Sequence, residues 1–264
     1  MVQTGTIAAI IFNIIVAFGL PLALLAYLLK RDIRLWRPVF VGAVVFVVFQ
    51  LVFRIPLVME VLPKTSWFAH LMRFPISYGI FLGFTAGLAE EIGRYIGYRA
   101  ALRGQTSWMT GIAFGVGHGG IEAIILVGFV NVNDLVFSLA INRGEFQDVI
   151  SNVREHIVPR IYNHLTYLEP FDAMLSGLER ISVMFIQIAM SLMVLYGVKT
   201  KNASWLALAI FVHTFVDAPV VILPKIFNFN VYKIELFIAA CAVGCAIYIW
   251  KSRRMFAKAE KLEA

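Results

Sequence analysis

Residues 74–98 form a stretch long and apolar enough to cross a bilayer, yet it carries Glu90, Glu91 and Arg94 within five residues. A charged side chain at bilayer depth costs at least ~2.5–3.5 kcal/mol on insertion scales. A helix with three of them cannot turn that face to lipid. It must direct them into a bundle, where a partner, a cavity or a chemical task offsets the cost.

The rest of the chain supplies such a bundle. Apolar stretches at about 5–29, 38–62, 108–130, 175–198, 203–223 and 232–250 match the roughly 20 residues that cross ~30 Å of hydrocarbon at 1.5 Å per residue. With 60% hydrophobic and 15% charged residues, the composition departs from a soluble domain, where about a quarter of residues carry charge. The prediction is an all-α, polytopic membrane protein of about seven transmembrane helices. Residues 1–264 read as a single integral-membrane domain whose site-bearing part covers about 74–224.

The net charge of +7 lies in short tracts beside apolar stretches rather than in one aromatic-interleaved patch, so nucleic acid is excluded as a partner. The lipid bilayer is the expected partner, with its acidic surface meeting Lys251, Arg253, Arg254, Lys258 and Lys261. The basic cluster Lys30, Arg31, Arg34 and Arg37 follows the first apolar stretch, whereas a cleaved leader wants basic residues before it. That stretch is expected to stay as a helix. Lys and Arg number 13 in the connections on one side and 7 on the other, which predicts a multi-pass protein with its N-terminus outside and its C-terminus cytoplasmic.

Between the fourth and fifth stretches, Phe146, Val149, Ile150, Val153 and Ile157 recur at helical spacing with Gln147, Asp148, Asn152 and Arg154 between them. The pattern predicts an interfacial amphipathic helix. Asn131, Asn133 and Asp134 read as the end of the fourth stretch, and Glu179–Arg180 as an outer-rim pair with the interfacial helix. Cys241 and Cys245 read as packing thiols.

Counted from the cytoplasmic ends, Glu90 lies 8 residues from Tyr98, His118 lies 10 from Trp108 and His213 lies 10 from Ala203. All three therefore sit about 12–15 Å deep. Each has a helical neighbour one turn away: Arg94 for Glu90, Phe114 and Glu122 for His118, Asp217 for His213. Peptide-bond hydrolysis by an activated water suits the set. A carboxylate withdrawn from bulk water serves as general base, a histidine shares the proton, and a second histidine stabilises the oxyanion. Glu90 and His118 are assigned to water activation, and His213 and Asp217 to the oxyanion or the substrate. Glu91 and Glu122 are supporting groups, and Arg94 is expected near the cytoplasmic interface as a snorkelling anchor.

The runs Glu90-Glu91-x-x-Arg94, Phe114-x-x-x-His118 and His213-x-x-x-Asp217, each in its own apolar stretch, resemble the CPBP clan of glutamate-type intramembrane proteases. That clan includes CAAX prenyl-protein endopeptidases and bacteriocin-immunity proteins. Within it, Ala86-Gly87-Leu88-Ala89-Glu90-Glu91-Ile92-Gly93-Arg94-Tyr95, Gly117-His118-Gly119-Gly120-Ile121-Glu122-Ala123 and Leu178-Glu179-Arg180 are similar to the YhfC family, described as intramembrane metalloproteases. The resemblance implies Glu90 as general base, His118 as its partner and His213 with Asp217 as oxyanion stabiliser. Two features depart from the clan: two residues rather than three precede the arginine, and Asp217 stands where Asn is common.

The expected activity is an intramembrane endopeptidase cutting a membrane-associated protein or peptide near the cytoplasmic third of the bilayer. Zinc would accept His118, His213 and a carboxylate such as Glu90 or Glu122, but there is no His-Glu-x-x-His helix and no cofactor is favoured. The rival readings are a non-catalytic scaffold with a buried polar cluster and a proton-coupled transporter, which would want the internal repeats this sequence lacks.

Overall fold

The computed structural model describes residues 1–151 and 153–263. Lipid offers no hydrogen bonds, so each crossing segment satisfies its backbone as helix. Helix α1 (Thr4–Arg31) is followed by α2 (Trp36–Phe46), which runs on through π-helical turns at Val47–Arg54 and Leu57–Val61, and by the short α3 (Ser66–Leu71). The charged stretch is α4 (Pro75–Ile96), extended by wide turns at Gly97–Ala101. Helix α5 (Trp108–Ala123) continues through π-helical Ile124–Gly128 into α6 (Phe129–Arg143). After the short α7 (Phe146–Val149) and α8 (Val158–Tyr167) come α9 (Pro170–Thr200), α10 (Ser204–Phe227) and α11 (Val231–Glu263).

Among the described residues, six helical spans are long and apolar enough to cross a membrane. The 22-residue α4, whose carboxylates and arginine lower its hydropathy, makes the seventh long element. Among the six, 67% of the apolar window of α9 is buried, against 22–33% for the others. Helix α9 is therefore the axis, and α1, α5, α10 and α11 pack around it. The bundle runs its helices up and down, so the N-terminus and the 143–170 connection share one face and the C-terminus lies on the other.

Two helix pairs come unusually close, α4 with α10 and α2 with α5. Small residues permit this: a Cβ added at Gly117 would lie 1.9 Å from the Val39 carbonyl oxygen. Backbone cannot move aside as a side-chain tip can. Gly117→Ala is expected to cost about 1–3 kcal/mol by overpacking, read as a lowered thermal midpoint in detergent. Gly19→Ala is the control, because its methyl would meet nothing closer than 4.0 Å.

The connection between α6 and α9 corrects the expected amphipathic helix. Among the described residues of 146–157 the only helix is the four-residue α7, and the amphipathic helix is α8 instead; Asn152 lies outside the described residues. Pro159 explains the shift. It lacks an N–H and suits the first turn of a new helix, while disfavouring helix just before it. Phe146 and Ile150 are buried with Val2, Ile10 and Leu165. Asn142 clamps the N-terminus, accepting from Val2 N at 2.7 Å and donating to Val2 O at 2.9 Å.

Asn131 does not mark a segment end. It sits within α6 and accepts from Asn13 Nδ2 at 2.9 Å; Asn13 also donates to the Ala173 carbonyl at 2.7 Å and accepts from Gly177 N at 3.0 Å. One amide thus ties α1, α6 and α9 together.

Candidate active site

Helix periodicity places Glu90 and Arg94 on one face of α4, with Glu91 turned about 100° away toward α10. Glu91, Arg94 and His118 are 0% exposed, Glu90 is 3% and His213 is 5%. The α2–α5 and α4–α10 contacts bring these side chains together. His118 Nε2 lies 2.9 Å from Glu90 Oε2, and His213 Nε2 lies 4.0 Å from the same oxygen. On its other edge, His213 Nδ1 is 2.7 Å from Glu91 Oε1. Asp217 Oδ2 stands 3.4 Å from His213 Nε2 and is the open member of the set, its side chain 41% exposed. Phe46 closes the His118 ring edge-on, centroid to centroid 5.3 Å.

Arg94 is not at the interface. It donates to Glu91 and to the side-chain oxygen of Gln187, and its Nη2 lies 3.4 Å from Glu90 Oε2. Snorkelling would require an open path to headgroups. The C-terminal-face side of Arg94 is instead sealed by Tyr98 and Phe114, whose rings lie 4.4 Å apart, with Tyr98 Oη donating to the Ser191 carbonyl at 3.1 Å.

Gln187 was not singled out by sequence reasoning. Its amide joins two clusters, accepting from Arg94 and donating to Glu122 Oε2 at 2.6 Å. The available signal was a lone amide in the apolar run of α9, at the depth of the other polar groups. Glu122 also accepts from Arg180 Nη1 at 3.0 Å, and Arg180 Nη2 holds Glu179 at 2.5 Å. The expected pairing of Glu179–Arg180 with the interfacial helix is thus replaced by a link to Glu122 and, through Gln187, to Arg94.

A cavity of about 320 Å³ reaches this cluster, with Glu90, His213, Asp217, Glu122 and Arg180 in its wall. In α4, α10 and the span from α5 into its π-helical continuation, each wall residue is either a member of the cluster or lies on its N-terminal-face side: Leu82 and Gly83 before Glu90, Leu126 beyond His118, Val220 and Val221 beyond His213. The cavity therefore extends toward the N-terminal face, and the cluster forms its closed end.

The residues do not fit a metal ion. Among the described residues no group of three His, Cys, Asp or Glu side chains is arranged to hold one. Arg94 already pairs with Glu90 and Glu91, so a divalent ion would have to compete with a fixed guanidinium for both carboxylates. A ligating imidazole is normally oriented by a partner on its other nitrogen, and among the described residues the buried His118 Nδ1 has none.

The fold and the cluster define a multi-pass integral membrane protein built around an intramembrane polar site. The chain belongs to the YhfC intramembrane metalloprotease family, whose profile matches residues 14–241. It is similar to an uncharacterised membrane protein, YhfC, from Bacillus subtilis (strain 168), with 31% identity over 258 residues that cover 97% of this chain and 100% of the relative. No solved structure matches it.

Proposed function

We propose that the chain is an intramembrane endopeptidase in which Glu90 activates water for attack on a peptide carbonyl of a membrane-associated protein or peptide. The observation that carries this reading is Glu90 Oε2, 2.9 Å from His118 Nε2 and 4.0 Å from His213 Nε2, at the closed end of the cavity. A base needs a fixed lone pair within reach of water and substrate. His118 Nε2–H donates to one Glu90 oxygen and fixes the carboxylate. Glu90 takes the proton of the attacking water as the oxygen–carbon bond forms, and returns it to the amide nitrogen as the carbon–nitrogen bond breaks. Glu91 holds His213 through Nδ1 and aims Nε2 into the cavity, where it meets the oxyanion. Asp217, on the open side of His213, positions that ring or the substrate. Arg94 and Glu122 hold the carboxylates and Gln187 in register.

The reading includes no metal. Arg94 supplies the fixed positive charge that keeps Glu90 and Glu91 adjacent, and no step needs a Lewis acid. Purified protein is expected to carry well under one equivalent of zinc by plasma mass spectrometry, and o-phenanthroline is expected to leave cleavage unchanged. Stoichiometric zinc lost together with activity would refute this part.

With the C-terminal face in the cytoplasm, as the Lys/Arg distribution expects, the cavity serves the outer half of the bilayer. The cut itself falls at the level of Glu90, about 12–15 Å from the cytoplasmic face by helical rise. The experiment is a comparison of membrane proteomes from cells with the native chain and with Glu90→Gln. One species should accumulate uncut in the variant, and identical proteomes would argue for a non-catalytic scaffold.

A further inference from the structure

Three arginines lie inside the crossing segments, and two are neutralised. Arg94 is paired with Glu91 and Glu90, and Arg180 with Glu122 and Glu179. Arg54, at the end of the π-helical stretch of the second crossing segment, has no carboxylate in contact among the described residues. Its Nη2 donates to the Leu82 carbonyl at 2.7 Å, Nε to Thr85 Oγ1 at 3.4 Å and Nη1 to Gln50 Oε1 at 3.4 Å. All three partners are neutral, and among the described residues no carboxylate pairs with it within 4.0 Å. A cation at bilayer depth that meets the carboxylates of Glu90 and Asp217 only across the cavity, with none in contact, is costly enough to mark a functional position.

Its location says what that position serves. Arg54 lines the cavity that contains Glu90 and His213. It also lines an apolar groove of about 350 Å³ on the outer side of the seam with α4, formed with Phe53, Leu88 and Ile92 among others. It therefore stands where a chain passing from the groove to the cluster would cross. Three of the five guanidinium N–H groups are used, which leaves two for a forked contact with a carboxylate. Leu82, which anchors it, precedes Glu90 by eight residues on α4, about 12 Å along the helix. A group held by Arg54 is thus a few residues from the reacting bond rather than part of it.

We propose that Arg54 is a specificity-determining residue that binds a carboxylate of the peptide substrate, either a chain terminus or an acidic side chain. That the bound peptide is a substrate rests on the peptidase reading; the binding preference does not. The test uses the full-length Glu90→Gln chain in nanodiscs, with empty nanodiscs as background. The probes are three versions of the acetylated peptide Leu-Val-Phe-Leu: a free carboxylate, a C-terminal amide, and the amide with Glu in place of Val.

A charge-assisted fork predicts that at least one carboxylate version binds about ten- to a hundredfold tighter than the plain amide, and which one does separates terminus from side chain. Arg54→Gln should abolish the ratio while leaving the amide's affinity unchanged, and Arg54→Lys should retain part of it. A role confined to latching α4 would lower the thermal midpoint and leave the ratio alone. Equal binding of all three peptides, no binding of any at millimolar concentration, or a preference that survives Arg54→Gln overturns the proposal. Peptide cutting by the native chain is scored separately. A preference without cleavage refutes the peptidase and keeps the anchor; cleavage without a preference does the reverse.

Discussion

Glu90→Gln is expected to slow peptide cleavage by about 10²- to 10⁴-fold, the usual contribution of a positioned general base, and to leave the bundle assembled. Glutamine has the same shape, and its carbonyl oxygen still accepts from His118 Nε2. Arg94 keeps Glu91 as its ion partner. What is lost is the capacity to take a proton from water. His118→Ala should produce a loss of similar size, because His118 acts on the same carboxylate oxygen. The double variant should be little worse than either single one, since groups that act as a unit do not contribute additively. The measurement is single-turnover cleavage by protein whose gel-filtration profile matches the native chain. More than a tenth of the native rate remaining in Glu90→Gln would remove Glu90 from the chemistry.

Arg94→Gln is the second large effect, and it falls on stability. The guanidinium is 0% exposed and contacts Glu91, Glu90 and Gln187. Removing one partner of a buried ion pair strands the other, at a cost of about 3–5 kcal/mol. Lysine should not rescue it, because a compact ammonium cannot reproduce the planar fork that reaches three acceptors. Combining Arg94→Gln with Glu91→Gln should recover part of the loss, since one stranded carboxylate, Glu90, then remains instead of two. Denaturation midpoints in detergent measure this. A single Arg94→Gln variant within about 1 kcal/mol of native would contradict the buried geometry and restore the interfacial reading.

The depth of the cluster was legible in the sequence because helical rise is fixed. Counting residues from the ends of three apolar stretches places Glu90, His118 and His213 at one level, and the structure brings them within 4.0 Å. Rotation was less legible. Glu91 read as the lesser carboxylate, yet it is the one bonded to His213 Nδ1, because the α4–α10 contact turns that face of the helix inward. Arg94 lies close in sequence to the end of its stretch, and only the packing of Tyr98 and Phe114 over it shows that it has no route to water. Gln187 carries no charge and belongs to no motif, so its bridge from Arg94 to Glu122 depends on which face of α9 meets the site. The 143–170 connection misled for a different reason: apolar spacing continued across Ile157, while Pro159 set the start of the helix.

The seal formed by Tyr98, Phe114 and their neighbours on α9 also bears on the membrane as an electrical barrier. A water-accessible cavity from one face removes part of the bilayer's insulating thickness. What separates the two aqueous phases at this point is the dry layer from Glu90 to the C-terminal face, about 12–15 Å at the helical rise. Leu192 and Leu195 are 0% exposed there, and Tyr98 is 2%. A transmembrane voltage, which falls mainly where water is absent, is concentrated across that layer. Close packing of a few aromatic and aliphatic side chains is thus what allows a polar cavity to sit within the bilayer without becoming a route for ions.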